Sequence, residues 1–135
     1  MPHLVILYTP NLEADTDLTA LCRSLADGML AVKDEQGRQV FPTGGTRVLA
    51  YPATHYAVAD GQGDYGFVYL NLRMSPGRSD AVKKLVGDTL LARTREHLGS
   101  VFERRPLGLT VQIDESTGQV YDGKHSTLHP LFNRS

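Results

Sequence analysis

The chain opens with an unbroken apolar run, Leu4 to Tyr8, which predicts a strand buried on both faces. Pro10 and Asn11 end it. The spacing then changes. Leu18, Leu21, Cys22, Leu25 and Met29 recur at the three-to-four-residue interval of a helix with one buried stripe. Asp15 or Thr16 can cap its start, and Asp17 suits the positive end of a helix. Lys33 to Gln39 is polar around Gly37 and predicts a turn or short hairpin. Pro42, Gly44 and Gly45 punctuate the chain before a second strand over residues 46–51.

The pattern then repeats. A glycine-rich turn over residues 59–64 leads into a strand from Tyr65 to Met74. Alternation puts Gly66, Val68, Leu70, Leu72 and Met74 on one face, and Tyr65, Phe67, Tyr69, Asn71 and Arg73 on the other. Pro76-Gly77-Arg78 turns the chain into a second helix, with Ser79 as its cap and Asp80 in its first turn. Val82, Leu85, Val86, Thr89, Leu90, Leu98 and Phe102 supply the buried side, and Pro106 marks the end. Leu107, Leu109, Val111 and Ile113 alternate with polar or small residues as a half-buried strand. The tail has room for one helical turn near Leu128 to Phe132.

Strand–helix–strand therefore occurs twice, and the order predicts an α/β (α+β) fold of duplicated βαβ units. One domain covers residues 1–135: a first unit over about 2–57, a second over about 64–115, and a tail over 116–135. The four strands form a mixed sheet. Two helices cover only one of its faces. Tyr8, Tyr65, Phe67 and Tyr69 are expected on the other, and an aromatic face left open in this way implies an oligomer.

Composition narrows the classes. With 135 residues the length suits one domain. The 14 basic residues are scattered and net charge is −1, so nucleic acid is not an expected partner. Cys22 is the single cysteine, which rules out an internal disulfide and leaves it as a small core residue. No run approaches the roughly 20 apolar residues of a membrane span. The apolar run after Met1 is too short for a secretory leader, so a cytoplasmic protein is expected.

Two apparent motifs carry little. Gly61-Gln62-Gly63-Asp64-Tyr65-Gly66 has dinucleotide-fingerprint spacing, but the glycines precede a strand where that site needs them to follow one and open a helix. His125 and His129 are four apart, yet no third metal ligand is evident and Pro130 limits any helix. His3 points away from Pro2 and reads as a packing residue.

Pro2 is different. Initiator Met is usually removed before a small residue such as proline. The mature chain would then begin with a secondary amine, held in place by the strand behind it. An α-amino group titrates near 7.7–8.0, and burial or nearby cations lower that value towards the range of an effective general base. Arg47, at a strand entry after Gly44-Gly45, and Arg78, beside the second helix N-terminus, can each grip a carboxylate with two parallel hydrogen bonds.

An ordered set of segments resembles the 5-carboxymethyl-2-hydroxymuconate isomerases of the tautomerase superfamily. The segments are Met1-Pro2-His3, Phe41-Pro42 with Gly45-x-Arg47, residues 59–68 with Ala59-Asp60-Gly61-Gln62, Gly77-Arg78-Ser79, and His129-x-Leu131-Phe132. Residues 70–84 also resemble the short 4-oxalocrotonate tautomerases. The resemblance implies a homotrimer that uses no metal or organic cofactor. It implies a 1,3-proton shift in a small anionic unsaturated carboxylate, in homoprotocatechuate breakdown. Pro2 would be the base and then the acid. Arg47 would hold the carboxylate and 2-oxo end, and Arg78 a further carboxylate. Leu49 replaces a second family arginine, and the aromatic positions between Tyr51 and Tyr56 differ; both changes bear on the substrate. The alternatives are a tautomerase for another 2-oxo acid, such as a phenylpyruvate-like compound, and a non-catalytic oligomeric binding protein on this scaffold.

Overall fold

A computed structural model describes residues 2–132. Strands β1 (His3–Tyr8) and β2 (Arg47–Pro52) flank helix α1 (Leu18–Ala31) in sequence. Strands β3 (Gly66–Met74) and β4 (Leu107–Glu115) flank α2 (Asp80–His97) and the short α3 (Gly99–Arg104). The two units meet at β1 and β3, which pair antiparallel. Within each unit the strands pair in parallel, giving one mixed sheet in the order β2-β1-β3-β4. Parallel partners need a crossover, and the helices supply it.

The helices lie on one face. Leu4, Ile6, Leu70 and Leu72 from the strands meet Leu21, Leu25, Met29, Val86 and Leu90 from the helices, all fully buried. Each such side chain contributes about 1.5–3 kcal/mol over an exposed one. Helices α1 and α2 meet where the Arg93 side chain lies over Gly28. A Cβ there would lie 2.7 Å from Arg93 Cδ, and Arg93 Nη1 donates to the Ser24 carbonyl at 2.9 Å.

Several expectations change. The cap of α1 is Asp17, whose side chain accepts from Ala20 N at 3.0 Å, rather than Asp15 or Thr16. Asp15 instead accepts from Arg105 Nε and Nη2 at 3.0 and 2.9 Å, tying the loop before α1 to the end of α3. The second helix does not run unbroken to Pro106. It stops at Leu98, which turns fully inwards, and restarts at Gly99. Glycine is a poor helix former, so the break falls there at little cost. Val82, Val86, Leu90 and Thr94 form the buried seam at four-residue steps, which leaves Leu85 and Phe102 to one side and exposed.

The first strand is covered on one face only, because both helices pack on the same side. Tyr8 belongs to that covered side with Leu4 and Ile6, and its hydroxyl donates to Glu13 Oε2 at 2.9 Å. Tyr65 lies before β3, where its hydroxyl donates to Asp60. The open face instead carries Val5, Leu7, Leu49, Tyr51, Phe67 and Tyr69, with Phe67 and Tyr69 stacked at 6.4 Å. Lys33 and Gln39 bridge the predicted hairpin. The tail forms a 3-10 turn at His129–Leu131 that packs on a second such turn, Thr43–Gly45. Among the described residues no helix is long and apolar enough to cross a membrane.

Candidate active site

The strand directions gather one set of ends. The starts of β1 and β2 meet the finishes of β3 and β4 at a single end of the sheet. Pro2, Arg47 and the chain leading to Arg78 all lie there. His3 stands opposite Arg47 on β2 and Arg73 on β3, and Arg73 stands opposite Asp114 on β4. Registered partners share a face. A row of Arg47, His3, Arg73 and Asp114 therefore crosses the open face.

Beneath this row is a cavity of about 310 Å³. Its walls include His3, Arg47, Arg73 and Ser75, closed by the segment that carries Ser116 and Lys124. Burial, then the Arg47 guanidinium and further the Arg73 guanidinium, hold the His3 imidazole below its ordinary 6.5. At neutral pH it is uncharged, with one ring nitrogen a donor and the other an acceptor.

Pro2 is buried and directly precedes β1. Strand alternation places it on the helix-covered side with Leu4, opposite His3. Arg78 is on that same side. Gly77, at φ 116°, makes the sharp turn that only glycine adopts readily. Arg78 Nη1 then donates to the Ser75 carbonyl at 2.8 Å and Nη2 to the Val40 carbonyl at 3.3 Å. Ser79 Oγ caps α2 through Val82 N at 3.2 Å and donates to Glu35 Oε2 at 2.8 Å, fixing the helix start. Within one protomer the predicted residues thus divide. Pro2 and Arg78 face the helices, while Arg47 faces the open side with His3 and Arg73.

A larger cleft of about 900 Å³ lies at the opposite end of the sheet. Glu13, Asp15 and Asp17 line it, with no Lys or Arg. An anion would be repelled there, so size does not decide the site. The tail histidine called a weak metal candidate, His129, shares a hydrogen bond of 2.9 Å between Nδ1 and Ser126 Oγ. Among the described residues no three His, Cys, Asp or Glu side chains form a metal-binding group.

Comparison with known proteins bears on this arrangement. The family model for 5-carboxymethyl-2-hydroxymuconate isomerase matches residues 2–132. The chain belongs to that family. A curated relative from Escherichia coli, 5-carboxymethyl-2-hydroxymuconate Delta-isomerase, is 27% identical over 98% of this chain and 99% of its own. A crystal structure of a 5-carboxymethyl-2-hydroxymuconate delta-isomerase is 56% identical, covers 100% of this chain and 95% of its own, and superimposes with a TM-score of 0.94. An isomerase structure from Deinococcus radiodurans R1 is 34% identical over 98% of this chain and 95% of its own, with a TM-score of 0.85. The fold extends to a fused 4-OT described as an asymmetric trimer, at 16% identity and a TM-score of 0.57 over 98% of this chain and 99% of its own.

The family's duplicated βαβ fold is the one read from the sequence. Two features of this end of the sheet come from the structure. His3, a packing residue by sequence, sits between two guanidinium groups. Arg73 was assigned to the correct face of its strand and given no role. Strand alternation supplied the face; the register that brings Arg73 beside His3 is a tertiary property.

Proposed function

We propose that this isomerase catalyses a cofactor-free 1,3-proton shift in 5-carboxymethyl-2-hydroxymuconate and its 2-oxo tautomer, with the Pro2 amine as base and then acid. The neutral amine removes a proton from carbon. The released electron pair moves through the conjugated system to the 2-oxo oxygen. The resulting ammonium returns the proton two carbons away as the electrons flow back. No atom is gained or lost.

The membership of the whole described chain in the isomerase family carries this reading. The local chemistry agrees with it. A buried amine near cations is favoured in its neutral, basic form. Arg78 is held by two backbone carbonyls and so needs little reorganisation to meet an anion. Arg47 stabilises the charge that develops on the 2-oxo oxygen, an effect of a few kcal/mol in a water-excluded site. We further propose a cytoplasmic homotrimer acting in homoprotocatechuate degradation. Its subunits bury the open face carrying Leu7, Leu49, Tyr51 and Phe67, and there Arg47 meets a neighbouring copy.

The test is ultraviolet-monitored ketonisation of 5-carboxymethyl-2-hydroxymuconate by purified protein whose mass shows Met1 removed. Strong acceleration over buffer is expected. No acceleration by folded, Met-free protein would overturn the reading.

A further inference from the structure

The substrate class proposed above carries three carboxylates, two on the muconate chain and one on the carboxymethyl branch. Arg47 and Arg78 account for two of them. The end of the sheet holds a third guanidinium in the same cavity as Arg47. We propose that Arg73 is a further substrate-binding residue: with Arg47 it reaches across the subunit boundary to a substrate held by the neighbouring copy's Pro2 and Arg78, and grips the carboxylate that Arg47 and Arg78 leave unmatched. This deepens the proposed function and rests on it.

Four observations converge on Arg73. It lines the cavity of about 310 Å³ together with Arg47 and His3, at the lower end of the size of small-molecule sites. Its guanidinium makes no hydrogen bond or ion pair among the described residues. The acid opposite it, Asp114, accepts instead from Asn71 Nδ2 at 2.8 Å. The other basic group of the wall, Lys124, is ion-paired to Asp122. Arg73 is therefore a cation of this cavity whose charge no described carboxylate meets.

The spacing suits a polyanion. Arg47 and Arg73 flank β1 from β2 and β3, two strand spacings or about 10 Å apart at the backbone. Two guanidinium groups at that spacing, both lining one cavity, can hold separate carboxylates of one small molecule. Their mutual repulsion falls when the anion arrives. His3 lies between them, and its uncharged ring adds a hydrogen-bond donor without a third repelling charge. A dicarboxylate lacking the branch would leave Arg73 unused, so this residue would set preference for the carboxymethyl substituent.

The experiment compares wild type, Arg73→Met and Arg73→Lys on 5-carboxymethyl-2-hydroxymuconate and on 2-hydroxymuconate, which lacks the branch. It adds calorimetric binding of propane-1,2,3-tricarboxylate and succinate, which need no turnover. Arg73→Met should raise KM for the tricarboxylate at least about 10-fold more than for the dicarboxylate, as expected for a lost charge-assisted pair. Arg73→Lys should recover part of the loss. Propane-1,2,3-tricarboxylate binding should weaken in parallel, with succinate binding changed much less. Equal changes for both substrates, no change, or loss of assembly without selective loss of the tricarboxylate would each overturn the role. Arg73-dependent tricarboxylate binding by a wild type that turns over neither substrate would sustain Arg73 and sink the proposed reaction. Normal turnover with an indifferent Arg73→Met would do the reverse. A wild type that neither binds nor reacts would sink both.

Discussion

Arg78 lies over the ring of Phe41, with its Cζ 5.4 Å from the ring centroid. The ring is fully buried, so it is a fixed floor beneath a partly exposed cation. A cation–π contact of this kind is worth about 0.5–2 kcal/mol. With the two carbonyl hydrogen bonds it holds the guanidinium in place before any substrate arrives. Arg78→Ala should therefore raise KM by roughly 10-fold or more with a smaller change in kcat, the sign of binding shared by ground and transition states. Phe41→Leu should raise KM by only about 2–5-fold, because the carbonyl contacts remain. Steady-state kinetics decide it, and an unaltered KM in Arg78→Ala would remove this residue from the site.

Pro2 carries the proposed proton transfer, and its test must separate chemistry from folding. General bases typically contribute about 10²–10⁴-fold. Pro2→Ala keeps an amine at the terminus but makes it primary and less constrained. We expect kcat to fall at least about 10-fold, with an unchanged melting temperature. A dependence of kcat/KM on one basic group in the free enzyme should also shift in pH between the two proteins. Equal kcat values and superimposable pH profiles would eliminate the prolyl base.

Where sequence patterning succeeded, the signal was local. Val68, Leu70, Leu72 and Met74 alternate so regularly that the buried face of β3 was readable. Ser79 caps α2 as its position suggested. Asp15 misled because an acid before a helix looks like a cap, while its real partner, Arg105, is 90 residues away. Tyr8 misled for a related reason: an unbroken apolar run does not show which residues face the helices. The site followed the same division. Pro2, Arg47 and Arg78 are proposed from residue type in context. The grouping of Arg47 with His3 and Arg73 depends on strand register, and so does their separation from Pro2 and Arg78 by the plane of the sheet.

Tyr8 gives the fold a dependence on alkaline pH. Burial, then the hydrogen bond to Glu13, push its phenol up from the ordinary 10.0 to about 12. The folded state thus binds that proton more tightly than the unfolded chain. The resulting stabilisation is fully present below about pH 10 and is lost as pH rises from there towards 12. Tyr8→Phe has no proton to lose. The stability difference between wild type and Tyr8→Phe should be constant at neutral pH and move against the wild type above about pH 10. Urea unfolding of both proteins across that range measures it. A difference independent of pH would contradict the assigned environment of Tyr8.

Gly44 joins the tail to the strand that carries Arg47. A Cβ at this position would stand 2.9 Å from the Cα of His129 and 3.4 Å from Phe132 Cδ2. The first contact is with backbone, so it cannot be relieved by a rotamer change. Either the His129–Leu131 turn lifts away or the Thr43–Gly45 turn moves. The Thr43–Gly45 turn is braced: Gly45 N donates to the Pro42 carbonyl at 3.1 Å, Thr46 Oγ1 donates to the same carbonyl at 2.9 Å, and β2 follows directly. The hydrogen bonds of the tail turn run locally, among residues 126–132, and do not tie it to the sheet, so it should be the part that yields. Gly44→Ala is expected to cost about 1–3 kcal/mol, the range for overpacking at a tight contact. It should lower the melting temperature by several degrees and speed amide hydrogen exchange at Leu131 and Phe132, while the amides of β1 keep their protection. Faster exchange at β1 and β2 with the tail unchanged would show that the strand, and with it Arg47, moves instead.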